Sequence, residues 1–348
     1  DADVGRFAAA LDAVLADENV DAAAVVAAPT ATLSFEALAD ELAARAGDVP
    51  LVACMMGGDS TRDAIERLDE AGVPNYFDPA RAVSNLDVLA RQRRVGEREY
   101  TAPKTFDVDT ERVEATLASA AAGGRTRLGV EAMDILDAYG IPTPQGGVAT
   151  SRAEAVDIAA GLGEEVVMKI VSPDILHKSD VGGVKVGVAR ADVEDAYEDL
   201  QSRARDYQPD ARVLGVQVQE QVDLSDGVET IVGTNRDPGF GPLVLFGLGG
   251  IFVEVLEDTS LRLAPVGEDE AHAMTDEIRA APLLRGARGR DPVDRTAVAE
   301  TIQRLSQMMV DVPAIVELDV NPLVATAEGV VAVDLRLTVS PEDLPSNP

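Results

Sequence analysis

Tryptophan is absent from this 348-residue chain, and tyrosine and phenylalanine together leave aromatics at 3%. Lysine is almost as scarce, with Lys104, Lys169, Lys178 and Lys185 the full set. These two shortages argue against a nucleic-acid partner, because a phosphate backbone needs a basic footprint and single strands need aromatic platforms. The one cysteine, Cys54, excludes an internal disulfide framework, and its setting in PLVACMM reads as a small buried thiol. No apolar run reaches the length that crosses a bilayer, since FAAALDAVLA is broken by Asp12. The chain opens on DADVGRF, without a signal-like stretch, and enters a helical pattern at once. That start is the expectation for a piece of a longer polypeptide.

What the chain has in excess is negative charge. Asp plus Glu number 62 against 30 Lys plus Arg, for a net charge of -32 and an isoelectric point near 4.2. Such self-repulsion opposes a compact fold unless salt screens it. The expectation is a protein of a salt-rich cytoplasm, with an ordinary acidic cytoplasmic enzyme as the alternative. Against this background three of the four lysines fall in one stretch, VVMKIVSPDILHKSDVGGVKVGV. A site requirement is the simplest reason for keeping them there.

Two patterns divide the chain. Over residues 1–95, short apolar runs (DAAAVVAAP, PLVACMM, PNYFD) alternate with amphipathic helices, which predicts a parallel sheet covered on both faces. Three strands make a poor sheet, so more of this flavodoxin-like or Rossmann-like domain is expected upstream or on a partner. Residues 96–126 mix charge, a proline and a Gly-Gly break, and read as a linker with a short helix inside it. From 127 to about 340 the strands alternate in polarity, VQVQEQV above all, which predicts an α+β domain with antiparallel sheets and a cleft between them. Expected strands include EVVMKIV, GVKVGVA, IFVEVLED, AIVELDVNPLVA and GVVAVDLRL, with helices near 268–280 and 294–309.

The lysine stretch carries the first chemical signal. Lys169 ends a strand, Gly182 and Gly183 follow a polar loop, and Lys185 lies on the next strand. Glycines let a backbone approach phosphates closely and lysine supplies a mobile point charge. A GxxxxGK[ST] phosphate loop is missing, so the cleft is of another type.

MKIVSPDILHKSDVGGVKVGV, then VQEQVDLSDGVETIVGTNRDPGFGPLVLFGLGGIFVE, then VELDVNPLV, in order and in register, resemble the ATP-grasp half of ADP-forming acyl-CoA (acetyl-CoA) synthetases, relatives of succinyl-CoA synthetase. Residues 1–95 resemble the end of the CoA-ligase domain that precedes it in fused members. The fold implied is a partial flavodoxin-like parallel-sheet domain followed by an α+β ATP-grasp domain. The chemistry implied is interconversion of acyl-CoA, ADP and phosphate with free acid, CoA and ATP through phosphohistidine.

By that resemblance His177 in LHKSD relays the phosphoryl group, with Asp180 a candidate to orient its ring. The other histidine, His272 in EDEAHAM, reads as solvated surface. Lys169 and Lys185, with Gly182 and Gly183, are implied to hold the nucleotide phosphates. Residues Glu220 to Val222 are implied to form a hinge that reads adenine by backbone groups, with Glu229 on the ribose hydroxyls. Gly247, Gly249 and Gly250 are either near phosphates or at a tight turn. Asn321 and Asp334 match the magnesium ligands of the family, and Asp319 matches a residue that contacts phosphohistidine. Glu317 shares the face of Asp319 by the period of a strand.

One departure matters. The family's CoA-binding Rossmann domain and its first phosphorylated histidine have no counterpart here, which implies that they lie upstream in a fused chain or on a separate subunit. Two other readings stay open at this stage: an ATP-grasp carboxylate ligase without a histidine relay, and a non-catalytic nucleotide-sensing module.

Overall fold

The computed structural model describes residues 2–97, 101–175, 178, 181–223, 226–250 and 258–344. The chain divides into two compact units, Asp1–Tyr100 and Thr101–Pro348.

The first unit runs α1 (Val4–Leu15), β1 (Ala23–Ala27), α2 (Phe35–Ala43), β2 (Leu51–Met55), α3 (Arg62–Glu70) and α4 (Pro79–Glu97). β1 and β2 pair in parallel, Ala23 opposite Leu51, and β2 is buried along its whole length. α2 begins at Ser34, whose hydroxyl accepts the Ala37 N–H, and turns Leu38, Ala39 and Leu42 into the core. The third expected strand, PNYFD, reduces to one parallel bridge between Ala53 and Asn75. The Asn75 side-chain oxygen takes the Met55 N–H at 3.1 Å, so a side chain stands where a ladder would have continued. α4 buries only Ala82 and leaves Val83, Val88, Leu89 and Val95 exposed.

The second unit opens with α5 (Thr110–Ala122), β3 (Arg127–Leu128), α6 (Met133–Ala138), β4 (Gly146–Ala149), α7 (Arg152–Ala160), β5 (Glu165–Val171), β6 (Val184–Ala189), α8 (Val193–Tyr207) and β7 (Gly215–Glu220). It continues through β8 (Val228–Asp237), β9 (Gly241–Leu248), β10 (Thr259–Leu263), α9 (Glu268–Glu277), α10 (Ala281–Leu284), α11 (Arg295–Asp311), β11 (Ile315–Thr326), β12 (Gly329–Ala332) and β13 (Leu335–Val339). Among the described residues these strands make two sheets. The smaller has the order β4-β7-β5-β6, and the larger the order β10-β9-β8-β11-β13-β3 with β12 on the second half of β11. Every pairing in both is antiparallel. The expected strand IFVEVLED lies outside the described residues up to Glu257.

Alternation sets which face of each sheet is apolar. In the small sheet Val166, Met168, Ile170, Val216 and Val218 share a core with Val193, Tyr197 and Leu200 of α8. In the large sheet Leu318, Val320, Val232 and Phe246 share another with Ile302, Leu305 and Met309 of α11. α5, inside the segment expected as linker, contributes Val113, Leu117 and Ala120 to that larger core. The expected strand GVVAVDLRL is two strands, β12 and β13, with Val333 and Asp334 between them.

Candidate functional site

The faces left over by those two cores meet at a cleft inside the second unit. Val167 and Lys169 of β5, Val184 and Val186 of β6 and Gln219 of β7 form one wall, and Glu229, Pro322 and Val333 form part of the other. The cavity between them measures about 830 Å³ and takes in Glu220, Gln221, Val222 and Asp223 at one end. It brings together four residues marked from the sequence: Lys169, Glu220, Val222 and Glu229.

Lys169 is 6% exposed. Its ammonium donates to the Val333 carbonyl across the cleft at 3.0 Å. Burial pushes its pKa below the ordinary lysine value, Asp334 opposes that shift and Lys178 adds to it. The charge is held in place and only partly neutralised, which suits an anion that arrives from outside.

Asn321 and Asp334 meet because the large sheet is interrupted there. β11 slips register between Val320 and Leu323, at a cis Asn321–Pro322 peptide, opposite the gap between β12 and β13. Across it the Asn321 N–H donates to the Asp334 carbonyl at 3.2 Å and the Val333 N–H donates to the Pro322 carbonyl at 3.0 Å. Asn321 Oδ1 accepts the Gly250 N–H at 3.0 Å. The Asp334 carboxylate stands 3.8 Å from Lys178 Nζ, beyond hydrogen-bonding distance. A carboxylate and an amide oxygen on these neighbouring residues are donor types that suit a magnesium ion, which takes one or two protein oxygens with phosphates and water supplying the rest. Among the described residues no group of three or more His, Cys, Asp and Glu forms a closed metal cage.

Beside this junction lies a second cavity of about 320 Å³, lined by Glu317, Asp319, Lys178, Arg127 and Arg336 among others. Asp319 sits opposite Gly233 of β8 and Arg336 of β13. Burial raises the Asp319 carboxyl above its ordinary range; Arg336 opposes this, and Glu317 and Asp334 add to it. Lys178 touches this cavity and Asp334 together, so it links the two spaces.

Other sequence-marked residues fall elsewhere. Lys185 is directly opposite Met168, a core residue, while Lys169 is opposite Val184 of the cleft wall. Lys185 therefore projects from the other face of the small sheet, where it pairs with Asp199 of α8 at 2.8 Å, and the structure does not bring it to the cleft. Gly182 and Gly183 build a turn: Gly182 has φ +62°, and the Gly183 N–H donates to the Lys178 carbonyl at 2.7 Å. A Cβ on Gly183 would lie 2.9 Å from that carbonyl. The Glu220 N–H donates to the Gln145 carbonyl at 2.8 Å and its Oε1 accepts the Gln145 N–H at 3.0 Å, which leaves Gln221 and Val222 as the hinge groups without a β4 partner in this pairing. Gly249 and Gly250 pack on β8: a Cβ at Gly249 would meet the Thr230 carbonyl at 2.5 Å, and Gly250 has φ +64° beside the Glu229 carboxylate. His177 and Asp180 lie outside the described residues. Sequence reasoning missed Gln219, a polar residue at an inward-facing strand position, although the alternation of VQVQEQV marks it.

Two antiparallel sheets closing on a buried lysine, with acidic and amide oxygens at the far wall, define an ATP-grasp nucleotide-binding domain, and the model of that domain family matches residues 119–339. The chain is 41% identical to an acetate–CoA ligase [ADP-forming] I of Archaeoglobus fulgidus over 98% of this chain and 49% of that protein. It is 46% identical to the acetate–CoA ligase [ADP-forming] I subunit beta of Pyrococcus furiosus, over 60% of this chain and 89% of that subunit. A solved dinucleotide-forming acetyl-coenzyme A synthetase 1 of Candidatus Korarchaeum cryptofilum, in complex with coenzyme A and Mg-AMPPCP and with a phosphohistidine segment pointing towards the nucleotide binding site, superposes with a TM-score of 0.58 at 39% identity. That match covers 65% of this chain and 99% of the other. The chain belongs to the family of ADP-forming acetate–CoA ligases, in its beta-type ATP-grasp part. It spans about half the length of the full-length A. fulgidus relative. Among the described residues no helix is long and apolar enough to cross a membrane.

Proposed function

We propose that this chain is the nucleotide-handling and phosphoryl-relay part of an ADP-forming acyl-CoA synthetase, which converts acyl-CoA, ADP and phosphate into free acid, CoA and ATP through phosphohistidine. The observation that carries the reading is the buried ammonium of Lys169, held across the cleft on the carbonyl of Val333, the residue before Asp334. In this reading the hinge after β7 holds adenine, Glu229 takes the ribose hydroxyls, and Lys169 meets the phosphates. Asn321 and Asp334 would hold Mg2+, which when bound neutralises phosphate charge and orients it for transfer. In the same reading Asp319 contacts the phosphorylated His177, and burial raises its carboxyl above the ordinary range. Lys185 is left out, because it projects from the opposite face.

CoA binding and the first phosphorylated histidine belong to domains fused upstream or carried by a separate subunit, and acetate is the proposed acid. The acid excess supports a salt-rich cytoplasm as the working environment. Titration calorimetry with ADP and Mg2+ tests the site. Asp334→Asn should weaken Mg2+-dependent nucleotide binding by about tenfold or more while leaving metal-free binding close to wild type. Equal binding by variant and wild type in the presence of Mg2+ would remove Asp334 from the metal site.

A further inference from the structure

We infer that Lys178 competes with Mg2+ for Asp334: its ammonium keeps the bare ion off that carboxylate, so metal enters together with nucleotide phosphates rather than ahead of them. This rests on the metal site proposed above and adds the residue that sets its order of loading.

Three charges meet where β11 is interrupted. Lys178 Nζ stands 3.8 Å from Asp334 Oδ1, and among the described residues it is the cation within ion-pairing reach of that carboxylate. The Lys178 side chain is 18% exposed and that of Asp334 34%, so solvent screens the pair only in part. At this distance the two share no hydrogen bond. The third charge is Lys169, 6% exposed, which Asp334 attracts and Lys178 repels. One carboxylate therefore answers two ammonium groups.

The two lysines differ in how they are held. Lys169 donates to the Val333 carbonyl, whereas Lys178 is fixed through its backbone, its carbonyl accepting the Gly183 N–H at 2.7 Å. The flexible four-carbon stem of Lys178 can thus carry its ammonium off Asp334 while the turn stays in place. Glu317 and Asp319 line the cavity that Lys178 also borders, and offer it other carboxylates.

Two ammonium groups and one carboxylate leave a local charge that repels a bare dication. The phosphates of a nucleotide reverse that sign and supply oxygens, which a magnesium ion requires. The ion then reaches Asp334, and Lys178 gives way. A lysine that simply binds phosphate is the competing account, and the two differ in sign. Removing a phosphate ligand weakens binding, whereas removing a competitor of the metal tightens it. Lys185, paired with Asp199 on the opposite face of the small sheet, serves as the control.

The test is calorimetric titration of the 348-residue chain with MgCl2 at constant ionic strength, with and without ADP. An acid-rich surface attracts Mg2+ nonspecifically, so each variant is measured beside its Asp334→Asn counterpart and the difference is read. Without nucleotide, Lys178→Met and Lys178→Gln should each gain at least about tenfold in Asp334-dependent Mg2+ affinity over wild type. Lys178→Arg, which keeps the charge, and Lys185→Met should stay at the wild-type level. With ADP bound the gain should shrink to less than about threefold, because the phosphates already offset the ammonium. Unchanged or weaker Mg2+ binding in both neutral Lys178 variants would overturn the inference, as would an equal gain in the Asp334→Asn background. Loss of metal-free ADP affinity with Mg2+ affinity unchanged would make Lys178 a phosphate ligand and overturn it too. Failure of wild type to bind ADP with or without Mg2+ would instead sink the nucleotide reading itself.

Discussion

Lys169 and Asp319 are both charged groups that folding makes less comfortable, and that discomfort separates function from stability at the residue scale. Lys169→Met should weaken ADP binding by about 10- to 100-fold, the range for losing a charge-assisted contact. Its melting temperature should hold or rise, as a desolvated ammonium is removed. For Asp319 the folded pKa is raised by burial, so the folded state holds a proton more tightly than the unfolded one. Stability is then lost as pH climbs from the ordinary carboxylate range through the raised folded value. Asp319→Asn should flatten that slope, and melting curves recorded across the acidic range would check it; an unchanged slope would contradict the assignment. That Lys169 lines a cleft was legible from residue type and motif order; the chemistry assigned to it and to Asp319 is the proposal above. Lys185 misled for a physical reason: side-chain direction on a strand depends on register against its neighbour, and Met168 opposite Lys185 reveals the covered face only once β5 and β6 are paired.

Elements were read best where one period ran uninterrupted. β5, β7 and α11 follow their apolar patterns, and the antiparallel character of the second unit follows from VQVQEQV. Interruptions were illegible from periodicity alone. GVVAVDLRL looks continuous, yet its middle pairs through the Val333 N–H to Pro322, and that break is what places Asp334 beside Asn321. PNYFD has strand-like composition, but the Asn75 side chain replaces a ladder bond. α5 sits in a charge-rich stretch that reads as a linker with a short helix inside it, and what that pattern does not reveal is that the helix joins the larger core, where Leu117 is 4% exposed. Leu117→Ala should therefore cost about 2–5 kcal/mol of second-unit stability in denaturant unfolding, as for other buried leucines. A loss below about 0.5 kcal/mol, typical of surface positions, would mean α5 is not part of that core.

At the scale of the whole molecule, negative charge governs the behaviour of the surface outside the cores. Arg-carboxylate pairs cover that surface, such as Arg67 with Asp40 and Arg93 with Glu97, but acids outnumber bases by 32. Salt weakens the exposed pairs and the long-range repulsion together, and the repulsion is the larger reservoir here. The screening length shrinks from about 10 Å at 0.1 M to about 3 Å at 1 M, so the melting temperature should rise with KCl over that range; a fall would contradict a fold adapted to high salt. In the proposed division of labour, acyl-CoA chemistry belongs to partner domains, in keeping with the two-stranded first sheet and the half-length match to the A. fulgidus relative, while nucleotide and phosphohistidine belong to this chain. The most direct measurement of that division is phosphorylation by ATP labelled at the γ-phosphate in the presence of Mg2+, followed by peptide mapping. The account predicts an acid-labile, alkali-stable label on the peptide containing His177, abolished in His177→Ala with nucleotide affinity unchanged. Label elsewhere, or nucleotide binding that disappears together with His177, would contradict it.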